Sequence, residues 1–253
     1  MAPHSNMVLR KTADAAPHTA VDYLNAQYED AAPQEILTAA IREHFAGHIG
    51  LVSSFGADSA VLLHMVAQID PSTPVVSVDT SKLFPATILY RDQLIAELGL
   101  TDVRTQKPSS DDLSKTDPAG MLWMSNTDAC CHVRKVLPLE RALTGFEAWI
   151  SGRKRFQSAT RADIQIFEIE DDRVKVNPLA DWSADQILDY ARQNDLPPHP
   201  LVAEGYPSIG CLPCTSKVAP GEDPRAGRWR GQDKVECGIH MATHGREIDG
   251  SGI

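Results

Sequence analysis

The feature that most restricts the fold of this chain is an alternation of apolar runs and helical patterns between residues 34 and 99. Short apolar runs at residues 49–52 and 74–79 predict buried strands. Strands that alternate with helices are joined by crossovers, so the order predicts an α/β fold with a parallel sheet and helices on both faces. Helices are predicted over residues 34–48, 60–69 and 85–98, the last ending at Gly99.

The remaining sequence predicts fewer regular elements. We expect a loosely ordered lead-in over residues 1–30, one α/β domain over residues 31–219, and a mobile C-terminal segment over residues 220–253. Residues 100–128 are polar and rich in turn formers, and they predict no clear element. Later elements are predicted as a helix over residues 130–144 interrupted at Pro138, a strand over 148–152, a hairpin of 164–169 with 173–176, and a capped helix over 183–193.

The composition excludes several classes of protein. Hydrophobic residues make up 42% of the 253 residues and charged residues 23%, which is typical of a globular chain. We find no apolar stretch long enough for a membrane span and no apolar signal segment at the N-terminus, so we expect a cytoplasmic protein. The net charge of −10 argues against nucleic-acid binding but allows a local basic pocket for a small anion.

The cysteines predict a metal centre and a separate reactive thiol. Five cysteines are an odd number, and in a reducing compartment grouped thiols indicate metal ligands or catalysts. Four thiolates can hold zinc or an iron–sulfur cluster. Adjacent cysteines favour [4Fe–4S], because a cubane offers separate iron corners; unrelated buried thiols are the alternative. The predicted ligands are Cys130, Cys131, Cys211 and Cys214, which leaves Cys237 as the single thiol.

A turn between the first predicted strand and its following helix predicts an anion site. It contains Ser54, Gly56, Asp58 and Ser59. Backbone N–H groups at a helix N-terminus attract anions, and the two serine hydroxyls add donors. The alternative is an ordinary helix cap formed by Asp58 or Ser59.

Local groups of basic residues support such a pocket. One group follows the strand predicted at 148–152, and another lies between Cys214 and Cys237. Arginine binds phosphate-like oxygens with two parallel hydrogen bonds, so we expect Arg225 and Arg228 to contact an oxyanion. Lys154 and Arg230 are expected to be solvated surface charges.

Two loop motifs resemble a known superfamily. Residues 54–59, Ser-Phe-Gly-Ala-Asp-Ser, resemble the PP-loop of the adenine-nucleotide alpha-hydrolase-like proteins, with Phe55 where glycine is frequent. Residues 79–85, Asp-Thr-Ser-Lys-Leu-Phe-Pro, resemble the Asp-Thr-Gly-x-x-Phe-Pro segment of the sulfonucleotide reductases, with Ser81 in place of glycine. The resemblance implies that Leu83 and Phe84 line an adenosine.

The cysteine blocks and the Glu-Cys-Gly-x-His sequence at 236–240 resemble the iron–sulfur branch of that family, the assimilatory adenylyl-sulfate reductases. The resemblance implies a [4Fe–4S] cluster on the four grouped cysteines, with Lys135 close to it. It also implies that Cys237 attacks the sulfur of the substrate and is then released by thioredoxin or a similar dithiol. The implied substrate-binding residues are Ser54, Gly56, Asp58, Ser59, Leu83, Phe84, Lys135, Gly152, Arg153, Arg161, Arg225, Arg228 and His240.

The reaction implied is reduction of adenosine 5′-phosphosulfate to sulfite and AMP during sulfate assimilation, by a homo-oligomer that binds neither membrane nor nucleic acid. We expect the cluster to tune the electrostatics of the pocket without cycling electrons. Three alternatives stay open. These are a reductase for the 3′-phosphorylated nucleotide or for both, a PP-loop ATP pyrophosphatase, and a non-enzymatic metal sensor.

Overall fold

A six-stranded sheet organises the computed structural model, which describes residues 17–239. Its spatial order is β3-β2-β1-β4-β6-β5, and only β5 runs antiparallel to its neighbour. The predicted parallel α/β fold is therefore confirmed, and so is the hairpin, which forms the β5–β6 edge. The strands are β1 (Ile49–Val52), β2 (Val75–Val78), β3 (Val103–Gln106), β4 (Ala148–Ile150), β5 (Phe167–Glu170) and β6 (Arg173–Val176).

The helices follow the predicted alternation closely in the first half of the chain. Gly99 ends the third predicted helix in the left-handed conformation, at a φ of 64°. The helices are α1 (Pro17–Gln27), α2 (Pro33–Ala39, continued by a π turn at Ala40–His44), α3 (Ser59–Ile69), α4 (Pro85–Leu98), α5 (Ser110–Thr116), α6 (Leu122–Ser125), α7 (Thr127–Cys131), α8 (Leu137–Ala142), α9 (Ala184–Gln193) and α10 (Pro200–Ala203).

One prediction about local order is wrong, and one segment left unassigned contains regular elements. The described part of the expected lead-in forms α1, whose Asn25 amide exchanges two hydrogen bonds of 2.9 Å with the backbone of Phe167. Helix α1 therefore covers the exposed edge strand β5, a contact between distant segments that no local pattern signals. Residues 100–128 contain β3, α5 and α6; strand β3 was missed because it is half exposed and carries Arg, Thr and Gln.

Pro138 does not interrupt the predicted helix at 130–144. A proline cannot donate a hydrogen bond and clashes with the carbonyl four residues earlier. The chain accommodates it with a π turn at His132–Val136, in which the Leu137 N–H donates to the carbonyl of His132. The helical path then continues from α7 through the turn into α8. Because of this wider turn, Lys135 lies on a helical bulge, a common feature of functional sites.

The sheet buries two apolar layers, one on each face, which confirms helices on both sides. Leu51, Val75 and Ile150 belong to the larger layer, which includes residues of α2, α3 and α4. Val76 and Trp149 point to the opposite face, where they pack against Leu139 of α8 and the following Leu143. The second layer is small, and Ile239, the last described residue, packs against it.

Strands β1 and β4 lie side by side, and the chain leaves them toward opposite ends of the sheet. In open α/β sheets the crevice at such a switch point is where ligands bind. The loops that follow β1 and β4 both lie at this crevice. Within residues 17–239, no helix has the length and apolar character needed to cross a bilayer.

Candidate active site

The loop after β1 has a backbone that most side chains would avoid. Phe55 adopts a φ of 49°, in the left-handed region, and its side chain is buried in the larger apolar layer. The buried Ser53 hydroxyl accepts a hydrogen bond of 3.2 Å from the Phe55 N–H. Ser81, the other departure from a glycine position, also has a positive φ, of 58°. Both substitutions therefore keep the backbone conformation that makes glycine frequent in the two motifs.

Asp58 connects this loop to the loop after β4. Its carboxylate accepts hydrogen bonds from Lys154 Nζ at 3.1 Å and from Gln157 Nε2 at 3.3 Å. Although Asp58 occupies the N-cap position of α3, its side chain forms no capping bond there with the described residues. The alternative of a simple Asp58 cap is thus wrong, and the carboxylate joins the two switch-point loops.

The prediction that Lys154 is a surface charge is wrong. Its side chain is only 2% exposed, because the residue follows β4 directly into the crevice beside β1. Burial lowers the pKa of the Lys154 ammonium, and the pairing with Asp58 partly opposes that shift. Arg230, by contrast, is exposed as expected and pairs with Glu222 at 2.9 Å.

Three of the predicted anion-binding arginines already have carboxylate partners. Arg153 donates to Glu168 at 2.9 Å, and Arg161 forms a two-pronged pair with Glu236 at 2.7 and 2.9 Å. Arg225 lies 3.6 Å from the same Glu236 carboxylate and donates to the carbonyl of Val235 at 2.9 Å. Burial opposes ionisation of Glu236, but Arg161 and Arg225 hold its pKa below the ordinary value. Glu236 was not among the residues predicted for the site.

The four grouped cysteines come together in one pocket. Cys130 and Cys131 end α7, while Cys211 precedes a short helical turn at Leu212–Cys214 and Cys214 ends it. All four line a cavity that also contacts Lys82, Trp123, Arg134, Lys135 and Trp229. Burial raises the pKa of the Cys130 and Cys214 thiols, and it raises that of Cys131 to about 11. Such thiols become thiolates only when a bound cation compensates for the lost solvation.

The loop that contains Ser81 holds the second cysteine pair in place. Leu83 pairs with Cys211 in an isolated antiparallel bridge, and the Leu212 N–H donates to the carbonyl of Lys82 at 2.8 Å. The Thr80 hydroxyl lies 3.2 Å from Cys211 Sγ. Leu83 and its neighbour Phe84 are only partly buried, so they do not simply pack beneath the sheet.

A buried ion pair that the sequence analysis missed supports the same pocket. Arg134 donates from Nε and Nη2 to one carboxylate oxygen of Asp117 at 3.0 and 2.6 Å, and from Nη1 to the carbonyl of Thr80 at 3.0 Å. Both side chains are nearly inaccessible to solvent. The sequence itself shows only two adjacent charges, Arg134 and Lys135, between Val133 and Val136 of the predicted helix.

Arg228 reaches the cysteine loop through a close backbone approach. It donates to the carbonyl of Ile209 at 3.3 Å, and a Cβ at Gly210 would lie 2.2 Å from its guanidinium. Only glycine fits at that position without moving Arg228. The buried Nε of Arg228 and Nε1 of Trp229 have no acceptor among the described residues.

Cys237 lies beside this pocket with its thiol partly buried. Burial opposes ionisation of the thiol, but Lys135, the backbone N–H of Ile239 and Arg228 together hold its pKa below the ordinary value. Lys135 is itself buried among thiols: burial disfavours its ammonium, yet Cys211, Cys237 and Cys131 raise its pKa. A thiol with a lowered pKa is the more reactive kind, so the arrangement can supply a nucleophile.

The remaining predicted residues are spread around the same crevice. Ser54 and Gly152 are exposed in the loops after β1 and β4, and Ser59 opens α3. His240 lies outside the described residues. Within residues 17–239, no three His, Cys, Asp or Glu side chains form a group that would hold a single metal ion.

The fold and this crevice define a class: an α/β nucleotide-binding protein in which a switch-point loop, basic side chains and an activated thiol converge. The family model described as the phosphoadenosine phosphosulfate reductase domain matches residues 48–217, and the chain belongs to this family.

Relatives and solved structures agree with this membership. The chain is 53% identical to an adenosine 5′-phosphosulfate reductase from Mesorhizobium japonicum, over 87% of this chain and 86% of that protein. It is 40% identical to a phosphoadenosine 5′-phosphosulfate reductase from Gloeobacter violaceus, over 93% of this chain and 99% of that protein. The crystal structure of a phosphoadenylyl-sulfate reductase from Candida auris superimposes with a TM-score of 0.68 at 27% identity, covering 81% of this chain and 98% of that one.

Proposed function

We propose that this protein reduces adenosine 5′-phosphosulfate to sulfite and AMP in sulfate assimilation, with Cys237 as the nucleophile. The observation that carries the proposal is the position of the Cys237 thiol beside Lys135 and Arg228, with its pKa lowered by both cations. The Mesorhizobium japonicum relative, named for this substrate, supports the choice of nucleotide. We expect the reaction to occur in the cytoplasm, in a homo-oligomer.

The switch-point loops suit a nucleotide with a mixed phosphate–sulfate anhydride. Backbone N–H groups of the loop with Ser54, Gly56 and Ser59 would bind the phosphate. Leu83 and Phe84, partly exposed beside the cysteine loop, would line the adenosine. Arg153, Arg161, Arg225 and Arg228 would bind the anhydride oxygens, since their forked guanidinium groups match such oxygens.

The chemistry needs two steps and two electrons. The Cys237 thiolate attacks the sulfur of the nucleotide, the S–O bond to the phosphate breaks, and AMP leaves with the electron pair. Cys237 then carries an S-sulfonate. A thiolate of thioredoxin or a similar dithiol attacks Cys237 Sγ and displaces sulfite, and its second thiol resolves the mixed disulfide. The dithiol is oxidised, the sulfur is reduced, and the Cys237 thiol is restored.

Cys130, Cys131, Cys211 and Cys214 would hold a [4Fe–4S] cluster. The donor set fits: four sulfurs line one pocket together with the side chains of Lys135, Arg134 and Trp229. Bound there, the cluster would supply a fixed charge distribution beside Lys135 and would order the loops that carry its ligands. The two-electron reduction itself needs only Cys237 and the dithiol.

A second substrate has an observation in its favour. The Gloeobacter violaceus relative is named for the 3′-phosphorylated nucleotide, and it aligns with nearly the whole of this chain. Anaerobically purified protein should therefore be assayed for sulfite release with thioredoxin and each nucleotide in parallel. We expect a strong preference for adenosine 5′-phosphosulfate. Equal rates would indicate dual specificity, and no turnover of either nucleotide by cluster-loaded protein would refute the proposed reaction.

The nucleophile has its own test. Cys237→Ser should abolish sulfite release, because an alcohol at that position cannot form the S-sulfonate. Its visible absorbance and its affinity for AMP should stay close to those of the unmodified protein. Mass spectrometry after one turnover without dithiol should find the sulfonate on Cys237. Retained turnover in the serine variant would contradict the assignment.

A further inference from the structure

The residues around Cys237 are docked by two contacts of different chemistry. We call residues 236–239 the C-terminal strap. At its start, Glu236 pairs with Arg161 at the switch-point crevice. At its end, Ile239 packs against the smaller apolar layer, on the face of the sheet that carries Trp149. Cys237 lies between these two attachments.

Ile239 packs on the cluster that contains Leu139, Leu143 and Trp149, and it forms one wall of a pocket there. Val136 completes the apolar walls of the pocket, and charged residues of α8 and of the β5–β6 hairpin surround it. A Cβ at Gly238 would lie 3.6 Å from Val136 Cγ2, so the strap runs directly over the π turn. Gly238 also has a φ of 84°, a conformation that L residues rarely adopt. The bend at Gly238 turns Ile239 back toward the sheet.

The pocket and the cation that activates the thiol belong to one piece of backbone. Lys135 and Val136 are neighbours on the π turn at His132–Val136. One contributes its charge to Cys237, and the other contacts the strap. The backbone N–H of Ile239 also stabilises the Cys237 thiolate by a hydrogen bond. Seating Ile239 therefore sets the position of Cys237 relative to Lys135.

We propose that Ile239 is a positioning residue for catalysis: its side chain docks the strap in the pocket beside α8 and thereby holds Cys237 against Lys135. The inference rests on the proposed function only in taking Cys237 as the nucleophile. The two attachments of the strap therefore differ. Glu236 pairs with arginines that the substrate would also need, whereas the pocket at Ile239 is lined by other residues. The apolar anchor can stay seated while the substrate binds.

The test compares Ile239→Ala with Val235→Ala in the full chain, purified anaerobically. Val235 is a matched control, since it is an aliphatic residue of the same segment whose side chain is 59% exposed. Hydrogen exchange of the strap peptide, read by mass spectrometry, should accelerate about tenfold in Ile239→Ala and stay unchanged in Val235→Ala. Sulfite release should show kcat lowered by about tenfold with KM nearly unchanged, because misplacement of the thiol acts on the chemical step.

Ile239→Leu should restore most of both signals, since it returns the apolar volume to the pocket. Equal strap exchange in the alanine variant and the unmodified protein would overturn the docking proposal. A tenfold change in exchange with unchanged kcat would overturn the positioning role. Failure of the proposed function is a separate result: the unmodified protein would then release no sulfite, while the exchange comparison would still report on docking.

Discussion

Two buried lysines of the candidate site, Lys154 and Lys135, have different surroundings. Lys154 has a carboxylate partner, Asp58, and burial is the main influence on its pKa, which is lowered. Lys135 lies among cysteine sulfurs, and its interactions with Cys211, Cys237 and Cys131 raise its pKa despite burial. A cation held by a carboxylate joins two loops, whereas a cation placed among cysteine sulfurs can act on the sulfur chemistry beside it.

Removing the charge of Lys135 tests the difference between the two lysines most directly. Lys135→Met keeps a similar length but removes the charge beside Cys237. We expect sulfite release to fall by about a hundredfold to a thousandfold, the range for loss of a preorganised charge at a reacting centre. AMP binding by calorimetry should change little, and the visible absorbance should verify cluster content. A loss below threefold in cluster-loaded protein would contradict this role.

Lys154→Met is the matched experiment in the other region. The main expected loss is in the free energy of unfolding, by about 1–2 kcal/mol. The Asp58 carboxylate loses its cationic partner, but it is 40% exposed and keeps the hydrogen bond from Gln157. Denaturant unfolding would measure it. Adding Asp58→Asn should recover part of the loss, since the unpaired charge is then gone. If Lys154→Met instead matched Lys135→Met in activity loss while unfolding normally, the distinction between the two lysines would fail.

The smallest effect expected is a shift in pH dependence. Because Lys135 lowers the pKa of Cys237, its removal should raise that pKa and move the rise in alkylation rate to higher pH. Iodoacetamide labelling of the Cys237 peptide across a pH series would measure it, with Lys154→Met as the control that leaves the profile unchanged. A shift of the profile to lower pH would show that Lys135 does not lower the pKa of Cys237.

The strand–helix order was largely predictable because each element has its own periodicity. The cysteine grouping and the two loop motifs were also readable, since spacing along the chain is enough to define them. What the spacing could not report is conformation. Phe55 and Ser81 were visible as departures from glycine, but their left-handed backbone angles appear only in the fold.

Other misses share one cause: the partners are distant in sequence. Lys154 and Asp58 are 96 residues apart, and Asn25 and Phe167 are 142 apart. A lysine after a strand looks like a surface charge until the neighbouring strand supplies a carboxylate. The ion pair between Glu236 and Arg161 also joins residues distant in sequence. Because of it, a substrate that binds Arg161 must displace the Glu236 carboxylate.

The sequence by itself determined the parallel α/β architecture and the chemical types available, namely thiols, guanidinium groups and an anion-binding turn. Periodicity and spacing are local properties, so one chain suffices to read them. Only the tertiary structure decided which charges are paired, which thiol lies beside Lys135, and where the C-terminal strap docks. These depend on burial and on distances between remote segments, and burial determines both the pKa of a group and the strength of its contacts.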